Sequence, residues 1–194
     1  MGLEERKYSV LIVSAGEKFN SALSSLMPES RYHLTKYVAS VSAAKREWIE
    51  RSYDFVVINS PLKDDPGIEF AIDSVSSKGV VVLLIVPADI LGAIADRVSP
   101  HGVYTLAKPL SRPSLITAFD WMVSTRERLR LLERKTLSLE DKMNEIRIVN
   151  RAKWLLISEL RMEEPHAHRY IDKQAMDQCI SKREVSEQII KTYS

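Results

Sequence analysis

Between Ser114 and Glu164 the chain has neither proline nor glycine. A stretch of that length without a breaker, repeating its apolar residues every seven positions, reads as one long helix. Leu115, Met122, Leu129, Thr136, Met143 and Asn150 form one set; Ala118, Thr125, Leu132, Leu139 and Ile146 form a second, offset by three. These are the a and d positions of a heptad over about five repeats. Arg126, Glu133, Glu140 and Arg147 fall one place after d, at e positions, where charges can bridge two helices. The expectation is a parallel homodimeric coiled coil through residues 115–146. The competing arrangement folds the helix back on its own N-terminal domain through Leu131 and Leu137. The heptad outlasts what one small domain can cover, which favours the dimer. Thr125 and Thr136 weaken the seam in its middle.

Ahead of this helix, apolar β-branched runs alternate with helical stretches. Tyr8–Val13, Tyr32–Val38, Phe55–Ile58, Val80–Val86 and Val103–Ala107 read as strands. Lys18–Met27, Val41–Arg51, Ile68–Val75 and Ile90–Val98 read as helices between them. Such alternation builds βαβ units on a parallel sheet. Five strands of this spacing fit an α/β, flavodoxin-like doubly wound domain.

Behind the long helix, residues 150–193 read as three short helical segments. Ala152, Leu155, Leu156 and Leu160 share a face at the end of the first. Pro165 can open the next, since its missing N–H would be unpaired in a first turn anyway; Ala167, Ile171, Ala175 and Met176 supply its apolar stripe. Ser181 with Glu184 is a capping box, so a final helix starts there and buries Val185 and Ile189. A bundle this small is short of room for a deep pocket and presents a surface instead.

Bulk properties restrict function further. The 194 residues are 45% hydrophobic and 28% charged, with a net charge of +2. Residues 112–194 hold 16 Lys/Arg against 13 Asp/Glu, a slight basic bias. The single Cys179 excludes an internal disulfide, and its place in an amphipathic helix predicts a buried thiol. The longest apolar run, Val80–Val86, is too short to span a bilayer, and the charged start lacks a secretory signal; the cytoplasm is expected. His166 and His168 are two apart and diverge on a helix, while His33 and His101 stand alone, so no metal site is expected. No nucleophile–histidine arrangement and no glycine-rich phosphate loop can be read, so neither catalysis nor a cofactor is expected.

The terminal stretch resembles the ANTAR domain, the RNA-binding module of transcription antitermination regulators. The resemblance is carried by Val149–Lys153, Leu155–Leu156, Ala167, Arg169–Ile171, Ala175–Met176, Val185 and Ile189–Ile190. It implies binding to stem-loops of a leader transcript, with Arg151, Lys153, Arg169 and Lys173 as candidate contacts and Tyr170 available to stack on a loop base. The alternatives are a solvated helix face for the bases and core packing for Tyr170. One departure stands out: the family commonly has glycine after its Ala-Lys pair, and this chain has Trp154.

The N-terminal part resembles the receiver domain of response regulators through its element order and Lys108–Pro109. That resemblance implies a cis peptide before Pro109. The phosphorylation pocket does not follow the pattern. Ser14 and Ala15 stand where receivers have an acidic pair, Asn59 where they have the phosphoacceptor aspartate, and Val86 where they have Thr or Ser. Mg²⁺ wants carboxylate oxygens, and an acyl phosphate needs a carboxylate nucleophile. A shifted acceptor at Asp64 or Asp65 is the alternative. Lys108 is open to two readings: a relic contacting an anion or partner, or a lysine pairing with a nearby polar group.

The expected organisation is a pseudo-receiver over 1–112, a coiled-coil helix over 113–146 and an ANTAR-type domain over 147–194. The expected function is RNA-binding antitermination by a homodimer, with leader mRNA hairpins as partners and a sensor protein or ligand acting on the receiver. A DNA-binding response regulator and a protein-interaction module are the alternatives.

Overall fold

A computed structural model describes residues 6–77 and 79–193. The chain divides into two compact units, the first ending at Leu131 and the second starting at Leu132. Five parallel strands form the sheet of the first unit: β1 (Tyr8–Val13), β2 (Tyr32–Val38), β3 (Phe55–Asn59), β4 (Val81–Pro87) and β5 (Tyr104–Lys108). Their order is β2-β1-β3-β4-β5, the doubly wound order expected from the alternation. The apolar runs are central strands because both of their faces are covered: β1 is buried along its whole length, and β3 and β4 along all but the last residue. The edge strand β5 is only half-buried.

Helices α1 (Glu17–Ser24), α2 (Val41–Glu50), α3 (Ile68–Val75) and α4 (Leu91–Val98) connect the strands. One face of the sheet gathers Leu11, Val13, Val56, Ile58, Val82 and Leu84 with Val41, Ala44, Phe70 and Val98 of α2, α3 and α4. The other gathers Val10, Ile12, Phe55, Val57, Leu83 and Ile85 with Leu23 of α1. Completing that second face are Leu115, Ala118, Phe119 and Met122 of α5 (Arg112–Leu160).

This corrects the reading of the heptad. Its first turns are not an exposed seam: Leu115, Ala118 and Met122 are buried on the sheet, and Leu129 packs against the same core. Arg126, expected to bridge two helices, pairs with Asp54 of its own unit at 2.8 Å. Thr125 Oγ1 meets Tyr104 Oη at 2.7 Å. A period of seven cannot tell a partner helix from a sheet, because both bury one stripe of a helix. Only from Leu132 onward is the stripe exposed, at Leu132, Leu139, Met143 and Ile146.

The second unit continues α5 and adds α6 (Glu164–Gln178) and α7 (Lys182–Tyr193). Ala152, Leu156, Ala167, Ile171, Ala175, Val185 and Ile189 form its core. The capping box is made: Ser181 Oγ accepts from Glu184 N–H at 3.1 Å, and the Glu184 carboxylate accepts from Ser181 N–H at 2.8 Å. Met176 and Leu160, expected in the apolar stripe, are exposed. Met176 lies about 100° round the helix from Ala175, off the buried strip; Leu160 is the last residue of α5, before the chain turns at Arg161 with φ 51°. Cys179 is exposed rather than buried. It does not continue the helix but ends it in the left-handed conformation (φ 53°, ψ 38°), with Ile180 N–H donating back to Ala175 O at 3.1 Å. Among the described residues, no helix is long and apolar enough to cross a membrane.

Candidate nucleic-acid interface and receiver pocket

In a doubly wound sheet, ligands sit beyond the carboxyl ends of the strands where the strand order reverses, here between β1 and β3. Ser14 follows β1, Asn59 ends β3 and Lys108 ends β5. Asn59 Nδ2 donates to Ser14 Oγ at 3.0 Å, and Gly16 N–H donates to the same oxygen at 3.2 Å. Asn20 Nδ2 reaches Ser14 O at 3.4 Å. Lys108 Nζ donates to the backbone carbonyl of Ser60, and burial pushes its pKa down. The Lys108–Pro109 peptide is cis. Ala15 is exposed and Val86 fully buried, so neither adds a polar atom to this cluster.

The cluster therefore contains amides, a hydroxyl and one lysine, and its hydrogen bonds run among its own members. Neither aspartate downstream points to it. Asp64 caps α2, accepting from Val41 N–H at 3.1 Å and Ser42 N–H at 3.0 Å. The Ser42 N–H bond is the main reason its carboxyl stays below the usual range. Asp65 accepts from Gly67 N–H at 2.6 Å, which serves the left-handed turn that opens α3. Both carboxylates have local structural work.

At the opposite, amino-terminal ends of the strands lies a charged cluster that sequence reading missed. Asp54, just before β3, accepts from Ser9 N–H at 3.0 Å, Arg126 Nε at 2.8 Å and Arg130 at 2.9 Å. Glu127 accepts from Tyr8 Oη at 2.9 Å and Arg130 at 2.7 Å, and pairs with Arg6. Arg126 and Arg130 stand one turn apart, and that i, i+4 spacing was the available signal. Burial alone would raise the pKa of Asp54; the Ser9 and Arg126 hydrogen bonds and the two guanidinium charges outweigh it and hold the carboxyl below its ordinary value.

In the second unit, the buried residues of α6 are Ala167, Ile171 and Ala175. His166, Arg169, Tyr170 and Lys173 recur at three- and four-residue spacing on its outer side, and all are exposed. Tyr170 is 38% exposed and lies outside the buried cluster of this unit. Arg169 Nε donates to Pro165 O at 3.2 Å, within its own helix. Lys153 is different. It is largely buried and pairs with Glu164 at 2.9 Å, tying α5 to α6. Arg151 is exposed on α5, as is Trp154. Asp172 joins α6 to α7 through Lys182 at 2.7 Å.

Residues 137–190 match the ANTAR domain family. The chain carries an ANTAR domain. The matched span is the end of α5 with α6 and α7, where the exposed bases and Tyr170 are found. The transcriptional regulatory protein PdtaR of Mycobacterium tuberculosis is 28% identical over 140 residues, covering 72% of this chain and 68% of that protein. Among solved structures, the signal receiver domain of an HD domain-containing protein from Pseudomonas fluorescens Pf-5 aligns with a TM-score of 0.57 at 18% identity, over 67% of this chain and 96% of that one. The receiver domain of the TMAO respiratory system response regulator TorR aligns with a TM-score of 0.51 at 18% identity, over 60% of this chain and 96% of that one. The fold of the first unit of this ANTAR-domain chain is thus receiver-like.

Proposed function

We infer that this chain is an RNA-binding transcription antitermination regulator acting as a homodimer on stem-loops of leader transcripts. The observation that carries the reading is an exposed strip of Arg169, Tyr170 and Lys173 on α6, inside the segment that matches the ANTAR domain. Two cations one turn apart suit phosphates, and an exposed ring beside them suits an unpaired base. Arg151 adds a further exposed base on α5. Lys153 acts through position: its ion pair with Glu164 orients α6.

Dimerisation is supported by the exposed stripe of Leu132, Leu139, Met143 and Ile146. Two copies would then engage two hairpins, so that avidity compensates for a small site. The pseudo-receiver extends over residues 1–112, the connecting helix over 113–146 and the RNA-binding domain over 147–194. With Asn59, Ser14 and Ala15 in place of carboxylates, input reaches the receiver as a protein partner or ligand and not as a phosphoryl group. The protein works in the cytoplasm and catalyses no reaction.

Filter binding of the intact chain to hairpin RNA, duplex DNA and neither tests this reading. Hairpin binding that weakens with salt supports it. A preference for duplex DNA points to a DNA-binding regulator, and binding to neither to an interaction module; both outcomes overturn it.

A further inference from the structure

Helix α5 changes character where its apolar stripe ends. From Leu132 to Glu145 its flanks carry charges of both signs: Glu133, Arg134, Lys135, Glu140, Asp141, Lys142 and Glu145. From Ile146 to Ser158 there are three bases, Arg147, Arg151 and Lys153, and no acid. The Lys153 side chain is only 18% exposed. Arg147 and Arg151 are exposed, and with Trp154 they stand at four- and three-residue spacing, on one face.

Trp154 is the most exposed aromatic side chain in the second unit, at 70%. It lies two residues from both Ala152 and Leu156, hence about 160° round the helix from each. Those two residues are fully buried in the bundle core. The indole therefore does not substitute for core packing. An exposed indole by itself is unremarkable. An exposed indole preceded on its own helix face by two guanidiniums, with acids missing from that stretch of the helix for more than three turns, matches the composition of a stacking platform for a nucleic-acid base with phosphate contacts along one side.

We propose that Arg147, Arg151 and Trp154 form a second RNA-contact surface of this chain, separate from the α6 strip, in which Trp154 stacks on an unpaired base and the two arginines hold the adjoining phosphates. This rests on the RNA-binding reading above. A second copy of the chain is the competing occupant, since Trp154 lies close to the row of Ile146 and Asn150. Charge decides between them. In a parallel pair Arg147, at an e position, would face the partner's Lys142 at g, and like charges repel, whereas phosphates complement the arginines.

The test uses hairpin RNAs selected by the intact chain from a pool with randomised loops. Trp154→Ala should weaken their binding by about 5- to 150-fold, the equivalent of one stacked base. Trp154→Phe should recover most of that loss, with the salt dependence unchanged in both variants. Arg147→Ala should instead lower the log–log salt slope by roughly 0.7 to 0.9. Sedimentation of all three variants should match that of the parent chain. Hairpin affinity unchanged in Trp154→Ala overturns the surface while leaving RNA binding through α6 standing. A shift of Trp154→Ala toward monomers assigns the indole to the dimer seam and overturns it as well. Failure of the intact chain to select any hairpin removes the RNA reading and this surface together.

Discussion

Replacing Asp54 by alanine should destabilise the receiver-like unit by about 3 kcal/mol. The carboxylate is 14% exposed and accepts from Ser9, Arg126 and Arg130, whose guanidinium-bearing side chains are 13% and 22% exposed. Removing one partner of a buried ion pair typically costs about 3–5 kcal/mol, since the other charge is left uncompensated. The low end applies here because Arg130 keeps Glu127 at 2.7 Å. Asp54→Asn keeps the shape and can still accept from Ser9, so it should cost about half as much, mostly the loss of charge assistance. Neither variant titrates at this position, so the pH dependence of both gaps comes from Asp54 of the parent. Asp54 titrates below its ordinary value of 3.8 in the folded state. A carboxyl depressed on folding contributes stability that is fully present above its unfolded pKa and is lost as pH falls through the folded one. The gap between parent and Asp54→Asn should therefore be constant near neutrality and close below about pH 4. Urea unfolding followed by tryptophan fluorescence gives both quantities, because Trp48 packs on Tyr53 within this unit at 6.4 Å between rings. A cost under 1 kcal/mol for Asp54→Ala, or a gap that persists in acid, would refute the assignment of this network as what holds α5 to the amino ends of β1 and β3.

Treatment with acetyl phosphate should leave the intact mass unchanged, because the acceptor position is Asn59 and both Asp64 and Asp65 are engaged by backbone N–H groups; a stable phosphoryl adduct on either aspartate contradicts this. Leu132→Asp combined with Leu139→Asp should yield monomers in sedimentation equilibrium, by placing like charges across the exposed stripe; a persistent dimer means another surface makes it. Arg169→Ala and Lys173→Ala should each lower the log–log salt slope of hairpin binding by roughly 0.7 to 0.9, while Tyr170→Ala should cost about 1–3 kcal/mol of binding at unchanged slope and unchanged melting temperature. Ile171→Ala, at the centre of the small bundle, should cost about 2–5 kcal/mol of stability in calorimetry, since the side chain is fully buried.

The sheet was legible from the chain alone. Strands buried on both faces need continuous apolar runs, and Tyr8–Val13 and Val81–Pro87 have no other use for theirs. The lack of carboxylates at these strand ends was equally legible, because it depends on residue identity alone: Ser14 and Asn59 hold no carboxylate in any arrangement. So was the capping box at Ser181 and Glu184, a contact between neighbours in sequence. What the sequence could not decide was which surface each helical stripe meets. The repeat that begins at Leu115 runs unbroken to Ile146, yet its first turns lie on the sheet and only its later ones are exposed. The same holds for single charges. Arg126 and Lys153 look alike as bases on a helix, but Asp54 and Glu164 engage them, and those partners are 72 and 11 residues away. Tyr170 could have been core; its exposure follows from Ile171, the next residue, turning inward. Periodicity is a local property of the chain and is written in it, whereas the partner of a face or a charge is set by chain closure over long separations, which only the tertiary structure supplies.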